Sequence, residues 1–244
     1  MDLTIVTCDY NTPELTKNLV SSIRRHCKDV YDIKVVNTGY ENYKADHQLE
    51  GVSVYNLLNS SHGNGVNYAL DKLVKTRYVL LVDTDVLFLK DIAKPFAKFK
   101  ENDLAIMGEV VGNRGGKLLK QRVNPWFCFI DLQKLKKYNI SFYDHYRTKE
   151  QKTVIAYDIG STMFEDCVNN KLKVGDYMME GTYFKHYEGM SWRVQKYNPN
   201  NGDTDIDIGG THDNIALYEY GLKVREQYLK DIYNENTNKI PDKK

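Results

Sequence analysis

The sequence predicts an α/β fold with a mostly parallel central sheet flanked by helices. Two observations predict it. Short apolar runs alternate with helical patterns through the first half of the chain. Those runs are apolar at consecutive positions rather than at every second one, the pattern of strands covered on both faces. Strand, helix, strand in that order implies parallel pairing with right-handed crossovers.

Taken in order, Leu3 to Cys8 reads as a buried strand. Thr12 is placed to cap a helix with Pro13 in its first turn, and Leu15, Leu19 and Ile23 recur at helical spacing. Ile33 to Val36 is a second strand, closed by turn chemistry at Asn37-Thr38-Gly39, and Val52 to Tyr55 is a third. Ser60-Ser61-His62-Gly63-Asn64-Gly65 reads as a loop before a helix from Val66 to Lys75, with Val66, Ala69, Leu70 and Leu73 on one face. Tyr78 to Val82 and Leu104 to Met107 are further strands. In the second half, Asp131 to Lys137 and Ser161 to Leu172 read as helices, Asn198 to Thr211 as a loop, and Leu217 to Tyr233 as a terminal helix. A polar tail, 234–244, follows it.

Bulk properties exclude several classes. With 244 residues and 41% apolar content the chain buries one substantial core and is not disordered. The formal net charge is +1 and no long basic run appears, so nothing points to nucleic acid. Cys8, Cys27, Cys128 and Cys167 are scattered without a Cys-x-x-Cys pair, which argues against a zinc knuckle or a disulfide framework and for a reducing compartment. The first residues open on an apolar strand-like run, Leu3-Thr4-Ile5-Val6, and are not expected to act as a signal peptide. The longest apolar run, Tyr78 to Leu89, is interrupted by Asp83 and Asp85, so no transmembrane segment is expected. The expected location is cytoplasmic, either free or peripheral at a membrane through lipid-linked substrates.

The most informative stretch is Asp83-Thr84-Asp85, set where a buried strand ends. In open α/β sheets, ligands bind beyond the carboxyl ends of strands near a topological switch point. Two carboxylates this close repel unless a cation sits with them. A hard divalent ion, Mn2+ or Mg2+, shared with a diphosphate is the natural partner. The bland alternative is a solvated turn. The same tripeptide recurs at Asp203-Thr204-Asp205, in a Gly/Asn-rich stretch with no strand before it. With Asp207 that copy has the start of a calcium loop, but Ile208 stands where Gly is required and Asn214 where Glu is, so it reads as a loop.

Context raises the first copy above its twin. Thr4-Ile5-Val6-Thr7-Cys8-Asp9-Tyr10-Asn11, then Pro13-Glu14-Leu15 and Ser21-Ser22-Ile23, resembles the opening of the inverting glycosyltransferases of family 2, which have the GT-A fold. The turn at Val35-Val36-Asn37-Thr38-Gly39, the Gly-rich Gly63-Asn64-Gly65-Val66-Asn67 and the Asp-x-Asp (DXD) after Val79 to Val82 follow in the family's order. The resemblance covers residues 3–90 and, more loosely, the rest. It implies a single GT-A domain over 1–244 with a Rossmann-like first half. Residues 1–110 would bind the nucleotide sugar, 111–233 the acceptor, and 234–244 form a tail.

The resemblance also implies roles. Thr7, Asp9 and Asn11 would line a nucleoside pocket. Asn37 stands where the family usually has an Asp, and its amide offers both a donor and an acceptor. Gly63, Gly65 and Asn67 would lie along the ribose and diphosphate, Asp83 on the ribose or donor sugar, and Asp85 on the metal. His186 is similar to the late His that adds a metal ligand, with His212 as competitor. An inverting transfer needs a general base on the acceptor side, which would be Asp158, with the pair Glu165-Asp166 as the alternative. Trp126 and Phe127 would offer an apolar platform to a sugar ring, or belong to the core.

The expected activity is therefore metal-dependent transfer from a UDP-, GDP- or dTDP-linked sugar to a glycan, a lipid-linked sugar or a protein. A nucleotide-sugar-forming nucleotidyltransferase and a catalytically silent nucleotide-sugar-binding module are the alternatives. The former carries a Gly-rich loop with Arg or Lys after its first strand, where this chain has Cys8-Asp9-Tyr10-Asn11.

Overall fold

The computed structural model describes residues 2–29, 31–40, 42, 49–112, 121–142, 146–150, 153–157, 159–187, 190 and 210–237. They form two compact units, Met1–Lys185 and His186–Lys244. The division falls inside one strand, Phe184–His186, which pairs within the first unit.

The first unit begins with β1 (Leu3–Asp9), α1 (Pro13–His26), β2 (Asp32–Asn37), β3 (Ser53–Asn56), α2 (His62–Tyr68), β4 (Tyr78–Val82) and β5 (Val86–Phe88). It continues through α3 (Ala93–Glu101), β6 (Ile106–Gly108), β7 (Val110–Val111), β8 (Arg122–Val123), β9 (Phe127–Asp131) and α4 (Leu132–Lys137). Then come β10 (Tyr146–Glu150), β11 (Thr153–Tyr157), α5 (Ser161–Asn169), β12 (Val174–Asp176) and β13 (Phe184–His186). The second unit holds α6 (Gly210–Thr237), against which the Tyr187 hydroxyl donates to Asp231 at 2.6 Å.

Seven strands form the central sheet in the order β12-β6-β9-β4-β1-β2-β3. The pairs β12/β6, β4/β1, β1/β2 and β2/β3 are parallel, as the strand–helix alternation requires, whereas β9 is antiparallel to both its neighbours. Among the described residues no helix separates β6 from β9. The chain turns back through the short β7/β8 ladder, a connection that only antiparallel neighbours allow.

Alternate residues of each strand enter two cores. Leu3 and Ile5 of β1, Tyr78, Leu80 and Val82 of β4, and Phe127 and Phe129 of β9 pack with Leu19 and Ile23 of α1 and Phe96 and Phe99 of α3. Val6, Val79, Leu81, Cys128 and Ile130 face the other way, onto Val66 of α2, Leu132 and Leu135 of α4 and Met163 and Cys167 of α5. Both faces are covered, so the central strand β4, Tyr78-Val79-Leu80-Leu81-Val82, is apolar throughout.

Several boundaries differ from the sequence expectation. The stretch read as a loop before Val66 is already helical: Ser61 caps α2 by accepting from the Asn64 N–H at 3.3 Å. A single π-helical turn, Ala69–Leu73, ends that helix short of Lys75. Strand β9 was not anticipated; its four apolar residues precede Asp131, which ends the strand and caps α4 in one step. Helix α5 stops at Asn169 rather than Leu172, where Lys171 takes a positive φ of 56°. The last helix is longer than expected at both ends. No helix among the described residues is long and apolar enough to cross a membrane.

Asp131 ties these parts together. It is 1% exposed, accepts from the Gln133 and Lys134 N–H groups at 3.2 and 3.3 Å, and receives the Arg77 guanidinium at 2.8 Å. Asp131→Ala removes a helix cap and an ion pair together and should cost about 2 kcal/mol. Urea denaturation should show a lower midpoint at unchanged slope; an unchanged midpoint would mean these contacts contribute nothing net.

Candidate functional site

The chain runs outward from β1 through β2 to β3, then returns to lay β4 on the other side of β1. That reversal makes the carboxyl ends of β1 and β4 a topological switch point. Asp9 closes β1 and is fully buried. Its carboxylate accepts from the Thr12 N–H at 2.7 Å and from the Thr16 hydroxyl, so Asp9, rather than the Thr12 side chain, caps α1. Its carbonyl accepts from the N–H and hydroxyl of Thr38, at 2.8 and 3.0 Å, which brings in the end of β2. Across the switch point the Thr12 hydroxyl lies 3.4 Å from that of Thr84.

The other residues chosen for the nucleoside side divide into two groups. Asn11 and Asn37 sit with Asp9 at the strand ends. Asn11, exposed at a φ of 57°, accepts from the Tyr40 N–H at 2.9 Å. Asn37, 2% exposed, accepts from the Gly39 N–H at 3.0 Å and donates to Asn56 at 2.8 Å, so its amide uses both functions. Thr7 is buried within β1, its hydroxyl making no hydrogen bond. Gly63 and Gly65 lie in α2, and Gly65 presses that helix on the strand ends. A Cβ there would stand 2.7 Å from Thr38 Cγ2 and 3.1 Å from the Cys8 sulfur, contacts only a glycine avoids. Asn67 points elsewhere: its amide pairs with the backbone of Phe142, accepting from that N–H at 2.8 Å. Burial, with the carboxylates of Asp83 and Asp9 adding to it, pushes the Cys8 thiol far above its ordinary range.

Beyond β4, the Asp83 N–H donates to the Trp126 carbonyl at 3.2 Å, and its carboxylate lies 3.9 Å from His62 Nε2. Asp85 is 1% exposed. What fixes the turn is β5. Its Phe88 N–H donates to the Ser22 hydroxyl at 3.0 Å, while that hydroxyl donates to the Leu19 carbonyl at 2.7 Å. On its other side β5 pairs with β13, beside the Leu89 N–H to Tyr183 carbonyl bond at 2.8 Å. The Phe184 and Phe127 rings stack at 4.1 Å, 7° from parallel, beneath this pair of strands.

The last residue of β13 is His186, and the strand delivers it to the acidic turn. One ligand atom each from Asp83, Asp85 and His186 lies within 4.8 Å of the others. Two carboxylates and an imidazole form a donor set suited to a divalent ion of the manganese type, so the residues fit the metal that the sequence implied.

Other expectations fall differently. Asp158 and the second Asp203-Thr204-Asp205 lie outside the described residues, and for His212, within α6, only the backbone is described. Glu165 and Asp166 are on α5, where burial and then Glu165 raise the Asp166 carboxyl. Phe127 is 2% exposed and stacked in the core, so it offers no platform; Trp126 is half-buried, with the Arg122 guanidinium 5.8 Å from its ring centre. Ser22 was visible only as part of a Ser-Ser-Ile string; its role in holding β5 required the fold.

No protein-family model matches the chain, and no curated protein matches it. Among solved structures, the chain is similar to a mannosyltransferase, PcManGT from Pyrobaculum calidifontis in complex with GDP-Man and Mn2+. That match has a TM-score of 0.52 and 9% identity over 99% of this chain and 81% of that one. It is also similar to the 1–349 portion of S. aureus TarS. There the TM-score is 0.50 at 14% identity over 99% of this chain and 76% of that one, and 0.50 at 15% over 92% and 72% for the complex with UDP-GlcNAc. At these identities the likeness is one of fold, and the fold is GT-A, as the sequence resemblance implied.

Ser22→Ala leaves the Phe88 N–H buried without its acceptor and should cost about 1–2 kcal/mol. Amide exchange at Phe88 should quicken more than at Leu80 in β4. Equal protection at both would show that Ser22 does not hold β5.

Proposed function

We propose that this GT-A chain is a glycosyltransferase, moving a sugar from a nucleoside-diphosphate carrier to an acceptor hydroxyl. The observation that carries the reading is the convergence of Asp83, Asp85 and His186 on one point beyond β4, at the switch point of the sheet. A divalent cation held there would neutralise charge gathering on the departing diphosphate. We take the donor to be UDP-, GDP- or dTDP-linked, a class that includes the ligands seen with TarS and the mannosyltransferase.

The chain's own residues then have distinct tasks. Asn11 and Asn37 meet the nucleoside, in a crevice whose wall Asp9 braces from behind. Gly65 draws α2 close to the strand ends, so that backbone rather than side chain borders the diphosphate. Asp83 touches the ribose or the donor sugar, while Asp85 and His186 hold the cation. In this reading Asp158 is the general base. It takes the proton of the acceptor hydroxyl as that oxygen attacks the anomeric carbon and the bond to the diphosphate breaks on the opposite face. The product is inverted.

Thermal shift with UDP, GDP and dTDP, each with and without Mn2+, should show stabilisation that needs both nucleotide and metal. A ligand at a hundredfold excess over Kd adds about 2.7 kcal/mol. Asp85→Ala should abolish that joint effect and metal-dependent transfer while circular dichroism stays native; full activity would refute the metal assignment. Asp158→Asn should lower turnover at unchanged donor affinity, and unchanged turnover would remove it as the base.

A further inference from the structure

Glu109 follows directly on β6 and has no part in the reading above. The turn between β8 and β9 holds it from two sides. The Asn124 N–H donates to its carbonyl at 2.9 Å, and the Asn124 side-chain amide donates to its carboxylate at 2.8 Å. Asn124 is 1% exposed, so this scaffold is internal, while Glu109 itself is half-buried. Gly108 lets the turn come close: a Cβ there would stand 2.8 Å from a Val123 methyl and 2.9 Å from the Phe127 carbonyl.

The same turn reaches the acidic centre. The Trp126 carbonyl, two residues past Asn124, accepts from the Asp83 N–H at 3.2 Å. The β7/β8 ladder pairs Val110 with Val123, which puts Glu109 opposite Asn124, in keeping with the N–H to carbonyl bond between them. Glu109 and Asp83 are thus held by the same short turn, one at Asn124 and the other at the Trp126 carbonyl. Strand β6 is parallel to β4, because both run against β9, so Glu109 stands at the same sheet edge as Asp83.

Glu109 stands outside the group of Asp83, Asp85 and His186, whose ligand atoms lie within 4.8 Å of one another. Held by the turn that also binds Asp83, it suits a group facing the sugar that a diphosphate anchored at the acidic turn would carry. We propose that Glu109 recognises the sugar being transferred, its carboxylate accepting hydrogen bonds from sugar hydroxyls, with Asn124 as the positioning residue behind it. This rests on the glycosyltransferase reading. An ionised carboxylate only accepts, so it selects a ring that presents hydroxyl donors at that edge.

Titration calorimetry with Mn2+ tests this, comparing UDP with UDP-GlcNAc and GDP with GDP-Man, on wild type and on Glu109→Gln. Gln keeps an acceptor for Asn124 while replacing one acceptor oxygen by a donor. Affinity for the free nucleoside diphosphate should be unchanged, and affinity for the nucleotide sugar at least about tenfold weaker, the size of one lost charge-assisted hydrogen bond. Glu109→Asp should give the same pattern, which guards against a folding defect in the first variant. Equal losses for both ligands, or none, would overturn the assignment to the sugar. So would reduced turnover at unchanged nucleotide-sugar affinity. A wild type that binds none of the four ligands, nor dTDP with Mn2+, would instead overturn the glycosyltransferase reading, and this assignment with it.

Discussion

A carboxylate with no exposure to water has to be compensated where it lies, and the Asp9 side chain is such a group at the centre of the fold. Its partners are the first free N–H of α1 and the hydroxyl one turn further on, while its carbonyl holds the start of the turn after β2. Three elements that the sheet would otherwise let diverge are thereby fixed at one point. Other contacts gather round the same strand ends: α2 pressed down through Gly65, the Asn37–Asn56 pair, and the hydroxyl contact from Thr12 to Thr84.

The acidic turn is built on a different kind of support. Asp83 and Asp85 bring carboxylates together, an arrangement that resists folding, and the stabilisation comes from apolar material underneath. Phe88, Phe127, Phe129 and Phe184 form a continuous ring cluster, with centroid separations from 4.1 to 6.0 Å, below β5 and β13. Ser22 on α1 accepts from the Phe88 N–H of β5. The repulsion is thus confined to side-chain tips on a rigid floor, the condition under which a cation binds without reorganising the protein.

Much of this was legible in the sequence, and the reasons differ from place to place. The parallel half could be read because strands covered on both faces show as unbroken apolar runs, and because Thr12-Pro13 and the turn after Asn37 punctuate them. Strand β9 has the same apolar signature in Phe127 to Ile130, but Asp131 drew attention to the helix it caps. Nothing local distinguishes a residue that ends a strand from one that only begins a helix when it does both. The glycines of α2 read as a loop because glycine disfavours helix, and the clash a Cβ would meet at Gly65 appears only once Thr38 and Cys8 are in place. Asp85 and His186 were singled out for a metal and Asp83 for the donor from spacing and resemblance, and the fold brings one ligand atom of each within 4.8 Å of the others. Ser22 and Glu109 were not given their parts, since a hydroxyl that props a strand 66 residues away leaves no trace in its neighbours.

The pairing of β5 with β13 has a consequence for how the protein is made. The two carboxylates leave the ribosome about a hundred residues before the histidine that joins them, and β5 finds its partner strand only then. Closing so long a loop costs entropy that only the later contacts return. The nascent chain can therefore pair β1 with β2 and β4 early, while the convergence of Asp83, Asp85 and His186 waits for residue 186 to emerge. An emerging chain stalled before that residue would carry the two carboxylates without the imidazole that converges on them.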